Sequence, residues 1–299
     1  MTIPNGIKNI FMGDAGPRAG WRFAAYLTSF LLLDDVLTRI VLTLTHYQPS
    51  NGFSAGDFVV FDGVGLIAAL IVSLGLIRLE HKRMEWFGFP LRAAFRMDFW
   101  VGTLFGAGMV SSLLLVALLG KGATIHGLAL HGPNFLKWLL LWIAAMLLVG
   151  FSEELQFRGY ALASLIHGIG FWPASLLLSL VFGGLHYFGK PMETVADGLS
   201  VTLLGLFVCF TLRRTGSLWF AIGFHAAFDF FALGLYGAPN TGNNGLPLDN
   251  HLMDVTYSGP SWLTGGPQGL EASWVIFPLL AAMFALVHRR YRECRFPRG

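Results

Sequence analysis

Apolar runs of about 20 residues recur from one end of this 299-residue chain to the other, and each is long enough to cross about 30 Å of hydrocarbon as a helix. Eight such segments stand at approximately 21–46, 58–78, 99–119, 135–166, 171–189, 195–213, 216–236 and 271–288. Only 12% of the residues are charged, against roughly a quarter in soluble domains, so bilayer rather than water is the expected solvent. The reading is an all-α fold, a polytopic membrane bundle of about eight transmembrane helices, with residues 1–299 as a single integral membrane domain.

The basic residues report topology. With the N-terminus inside, the inside segments collect Lys8, Arg18 and Arg22, the group from Arg78 to Arg96, then Arg158, Arg213, Arg214 and the tail from Arg289 to Arg298. That is sixteen of the 20 Lys and Arg, which by the positive-inside rule favours eight spans, both termini cytoplasmic and a cell (inner) membrane location. The net charge of +3 is spread along these connections and forms no nucleic-acid patch, so no nucleic-acid partner is expected. Two cysteines, Cys209 and Cys294, make a disulfide framework improbable. The stretch before Trp21 lacks an apolar core ahead of a small-residue cleavage site, so the first span is expected to act as its own targeting signal.

Two connections have a character of their own. Glu80 to Asp98 mixes Arg and Lys with Trp86, Phe87, Phe89 and Phe95, which suits an interfacial anchor. Gly237 to Gly269 is rich in Gly, Pro and Asn, carries no Lys or Arg, and reads as an irregular outside loop.

Ionisable groups inside hydrocarbon cost at least about 2.5 kcal/mol each, so every one demands a partner or a purpose. In the fourth span Glu153 and Glu154 follow an entirely apolar face. Glu154 and Arg158 stand at i and i+4 in the favoured order for an ion pair, which leaves Glu153, about 100° round the helix, as the best candidate for a general base. The fifth span brings His186 one turn after Phe182, with Gly183 and Gly184 allowing another backbone to come close. The seventh sets His225 and Asp229 at i and i+4, so the carboxylate can hold one ring nitrogen. In the first span Asp35 and Arg39 neutralise one another. For Glu153 to share a depth with His186, helix four must run on through residues 161–166 to about His167, which puts Glu153 about 21 Å from the inside boundary.

Glu153-Glu154-x-x-x-Arg158, Phe182-x-x-x-His186 and His225-x-x-x-Asp229, in this order on long apolar helices, resemble the motifs of the CPBP family of intramembrane proteases. That family contains the type II CAAX prenyl endopeptidases and bacteriocin-immunity-type proteins. The resemblance lies in the motif-bearing core, about 135–236. It implies that Glu153 and His186 activate a water, that His225 with the residue at 229 stabilises the oxyanion, and that Glu154 and Arg158 brace the site. The prenyl endopeptidases commonly carry Asn where this chain has Asp229, and an ionised carboxylate cannot donate a hydrogen bond. Asp229 therefore either orients His225 or joins Glu153, His186 and His225 around a divalent metal, for which zinc suits the ligand types. A metal-free glutamate and histidine mechanism is equally compatible.

The function expected is an intramembrane endopeptidase acting on hydrophobic, lipidated or membrane-associated peptide or protein substrates near the cytoplasmic side. Two other classes fit the same buried groups: a proton- or cation-coupled transporter, and a non-catalytic membrane scaffold or immunity protein. The sequence does not fix the oligomeric state.

Overall fold

The computed structural model describes residues 12–13 and 16–297; Lys8 and Arg298 lie outside the described residues. Each of the eight apolar segments is helical. In chain order the helices are α1 (Ala19–Thr45), α2 (Ala55–Leu79), α3 (Met97–Leu119), α4 (Gly132–Arg158), α5 (Tyr160–Ile169), α6 (Phe171–Gly189), α7 (Val195–Thr215), α8 (Trp219–Asp229) and α9 (Ile276–Arg290). A π-helical turn, Phe230–Leu235, prolongs α8. Local chemistry sets several ends. Ser54 and Asp57 form a reciprocal capping box that starts α2, and Gly216, with φ of 74°, ends α7.

Among the described residues five helices are long and apolar enough to cross a membrane, with α4 and α5 taken together. Helix α1 has the length, at 27 residues, but carries Arg22, Asp34, Asp35 and Arg39. Helix α9 has only 15 residues, a rise of about 22 Å.

The connections nevertheless alternate between two ends of the bundle. At the basic end Arg22 Nε lies 3.3 Å from Glu80 Oε1, Leu218 N donates to Gly88 O, Tyr291 Oη donates to Asp98 Oδ1, and Arg295 N donates to Arg213 O. At the other end strand β1 (Ala123–Leu128) pairs antiparallel with β2 (Met253–Tyr257), the Thr241 hydroxyl donates to Glu193, and Gln268 Nε2 donates to Met192 O. A multi-pass helical bundle with its basic connections gathered at one end is the result.

Three expectations are refined. The run of helix four toward His167 is present but broken at Gly159, where a Cβ would stand 2.3 Å from Leu155 O; α5 then descends beside α1, with Gly168 against Ala19 and Tyr160 stacked on Tyr26 at 5.4 Å. The 237–269 connection is not wholly irregular, because its Met-Asp-Val-Thr-Tyr run has the β-branched, alternating character of a strand and finds a partner in 123–128. Residues 80–98 fold as two 3₁₀ turns, Met84–Phe87 and Leu91–Ala93, and Phe87 and Phe89 are buried rather than interfacial.

Helix α8 sits where backbones come closest. A Cβ at Gly102 or Gly106 of α3 would meet Phe220 O at 2.1 Å or Phe224 O at 2.2 Å, and one at Gly150 of α4 would meet Ile222 O and Ala226 N at 3.0 Å. Glycine at these positions lets α3 and α4 clasp α8 backbone to backbone, as small residues do in membrane bundles.

Candidate active site

That clasp brings the predicted residues together. Gly150 is one turn before Glu154 on α4, and its neighbour Ala226 follows His225 on α8, so the imidazole is delivered directly to the acid pair. His225 Nδ1 donates to Glu154 Oε1 at 2.8 Å. On the far side of the ring, Nε2 lies 3.3 Å from Asp229 Oδ2 and 3.5 Å from Glu153 Oε2. One imidazole thus meets three carboxylates.

Glu154 is shared. The same Oε1 that holds His225 accepts from Arg158 Nη1 at 3.3 Å, and both partners of this i, i+4 pair are only 1% exposed. The predicted pairing is therefore present, but Glu154 also orients His225 and is more than a brace. Arg158 reaches this position because Gly205 of α7 leaves room: a Cβ there would stand 2.7 Å from Nη2.

Phe182 links the charged pair to the histidines. The Arg158 guanidinium carbon lies 4.4 Å from the Phe182 ring centre, His186 lies 4.5 Å from it, and His225 meets it edge-on at 6.3 Å. His186 Nδ1 donates to Phe182 O at 2.9 Å. In the neutral ring that leaves Nε2 as an acceptor. Of the two glycines beside it, Gly183 does permit a close approach, to Thr202 and Gly198 of α7, whereas nothing stands within 4 Å of Gly184.

Glu153, Glu154, Arg158, His186, His225 and Asp229 all line one cavity of about 230 Å³. The cavity continues toward the end of the bundle that lacks the basic connections, where Phe53, Lys190, Asn240 and Glu271 complete its wall. The 237–271 connection folds back onto the link between α6 and α7, where Thr241 bonds Glu193 and Gln268 bonds Met192.

Four ionisable lining residues were missed from sequence: Asp57, Asp62, Lys190 and Glu271. Asp62 of α2 faces the cavity, and the rule that singled out Glu153, an acid inside an apolar helix, applies to it equally. Lys190 caps the end of α6 one turn after His186, and only the folded connection reveals that it lines the cavity. As for a metal, no three or more His, Cys, Asp and Glu among the described residues are grouped so that they could hold an ion.

Residues 135–231 match the family described as Rce1-like, type II CAAX prenyl endopeptidase. This segment is similar to that family. The Rce1-like segment contains Glu153, Glu154, Arg158, His186, His225 and Asp229, and it leaves out α2 with Asp62. No curated protein matches the chain.

Proposed function

We propose that this chain is an intramembrane endopeptidase that hydrolyses peptide bonds of hydrophobic, lipidated or membrane-associated substrates with water activated by Glu153 and His186. The observation that carries the reading is the convergence on His225 of carboxylates from two helices, inside a cavity that His186 also lines. A structural salt-bridge network needs Glu154 and Arg158 alone. It does not need Glu153 Oε2, which makes no hydrogen bond among the described residues, facing a cavity.

Glu153 Oε2 and His186 Nε2 are acceptors for the two protons of a water. As the water attacks a peptide carbonyl, Glu153 takes its proton and the new C–O bond forms. His225 has a carboxylate at each ring nitrogen and so can carry both ring protons, which makes Nε2–H the donor toward the developing oxyanion. Glu154 fixes the ring through Nδ1, Arg158 balances the charge of Glu154, and Asp229 steadies Nε2. Asp229 is then an orienting group, which removes the conflict between its chemistry and a direct oxyanion role.

The metal-free route is the better supported of the two. What supports it is that the acids and imidazoles of the described residues do not form a ligand set.

Glu153→Gln removes the base and keeps the volume. We expect cleavage by the purified, lipid-reconstituted protein to fall at least about 100-fold, with thermal stability and insertion unchanged. Cleavage by Glu153→Gln at the rate of the unaltered protein sinks the proposal.

A further inference from the structure

Lys190 and three carboxyls line the cavity without a part in the mechanism above. Of the carboxyls, Asp57 is engaged in the capping box with Ser54, Glu271 belongs to the wall formed by the 237–271 connection, and Asp62 remains. Asp62 stands on α2, outside residues 135–231, and lines the cavity with Glu153. Glu153, His225 and Asp229 line the same cavity. No Lys or Arg among the described residues pairs with it. An acid inside an apolar helix with no basic partner has no stabilising reason to be there, which makes a functional one the default.

The packing holds Asp62 against the acid pair. One turn further along α2, a Cβ at Gly65 would stand 2.8 Å from Ser152 Oγ and 3.0 Å from Gln156 Nε2, so α2 rests on the α4 face that carries Ser152 and, next to it, Glu153. Ser152 is fully buried and is itself held by Gln156 Nε2 at 2.6 Å. Asp62 is thus fixed at the cavity wall, not hung from a mobile connection.

The peptide reaction leaves a place for such a group. Glu153 and His186 both accept protons and His225 serves the oxyanion, but an amide nitrogen leaves only when it is protonated. We propose that Asp62 is a further catalytic residue of this site, the carboxylic acid that donates its proton to the leaving amine. This rests on the endopeptidase reading. Water gives one proton to Glu153, its oxygen bonds to the carbonyl carbon, and the tetrahedral species collapses as the C–N bond breaks. The amine nitrogen takes the proton of Asp62, and transfer of the proton from Glu153 to Asp62 restores both groups. The Asp62 and Glu153 pair therefore carries one proton before and after each turnover.

The test compares the unaltered full-length protein, Asp62→Asn, Asp62→Glu and Glu153→Gln in the same lipid. Two probes are used: an internally quenched hydrophobic peptide chosen because the unaltered protein cuts it, and the matching nitroanilide, whose leaving group hardly needs a proton. Asp62→Asn should lower kcat on the peptide about 100-fold at little change in KM, yet lose less than about tenfold on the nitroanilide, while Asp62→Glu recovers much of the loss. Glu153→Gln should be inactive on both. Peptide cleavage by Asp62→Asn at the unaltered rate overturns the assignment. So does an equal loss on both probes, with or without a loss of thermal stability, because that marks a structural role. Full activity of Glu153→Gln would instead overturn the endopeptidase mechanism, so the two failures are distinct.

Discussion

At the residue scale the site is a hierarchy around one imidazole. Local pairs such as Glu154 with Arg158 and His225 with Asp229 were legible in the sequence, because i, i+4 spacing on a helix dictates proximity. The bond from His225 to Glu154 was not, since 71 residues separate them and no spacing rule spans that interval. This one contact changes Glu154 from a brace into the group that orients the histidine. It also sets a stability expectation. Glu154 and Arg158 are both 1% exposed, so removing one partner leaves an uncompensated buried charge, at a cost of about 3–5 kcal/mol. Arg158→Met should therefore lower the midpoint of thermal unfolding in detergent sharply, and the double change Glu154→Gln with Arg158→Met should cost less than the two single changes summed. Additive losses would mean that the pair carries no coupling.

At the element scale the helices were legible because each is an uninterrupted apolar run, and what escaped was how closely they approach. Gly183 and Gly184 look alike in sequence, yet only the first abuts another helix; the difference depends on which face α7 occupies. The break at Gly159 and the pairing of β1 with β2 were hidden for the same reason, each being set by partners remote in the chain. Close approach has a direct consequence for α8. A methyl at Gly106 would stand 2.2 Å from Phe224 O, so Gly106→Ala should push α8 away, cost about 1–3 kcal/mol in thermal stability and reduce cleavage by displacing His225. Gly108→Ala, on the same helix with nothing within 4 Å, should change stability by less than about 0.5 kcal/mol. Equal behaviour of the two variants would show that α3 and α8 do not meet as described.

At the scale of the whole molecule, the two ends of the bundle differ in charge and in what they cover. The arginines of the 78–96, 213–214 and 289–295 segments gather at one end, and the hydrogen bond from Arg295 N to Arg213 O at 2.8 Å ties the C-terminal tail to that end. On the positive-inside rule we propose that this is the cytoplasmic face. The cavity runs the other way, toward Lys190 and the 237–271 connection, which carries no Lys or Arg. On this proposal substrate reaches Glu153 from the face opposite the tail. The chain contains its own probes for this geometry, because Cys294 is exposed in the tail and Cys209 is buried in α7. A membrane-impermeant maleimide should label Cys294 in sealed inside-out vesicles and leave it untouched in right-side-out ones, while Cys209 should react only after denaturation. A peptide probe added outside right-side-out vesicles should then be cut. Labelling of Cys294 from the outside would invert the topology, and cleavage confined to the labelled face would mean that the route to Glu153 opens between helices at the basic end.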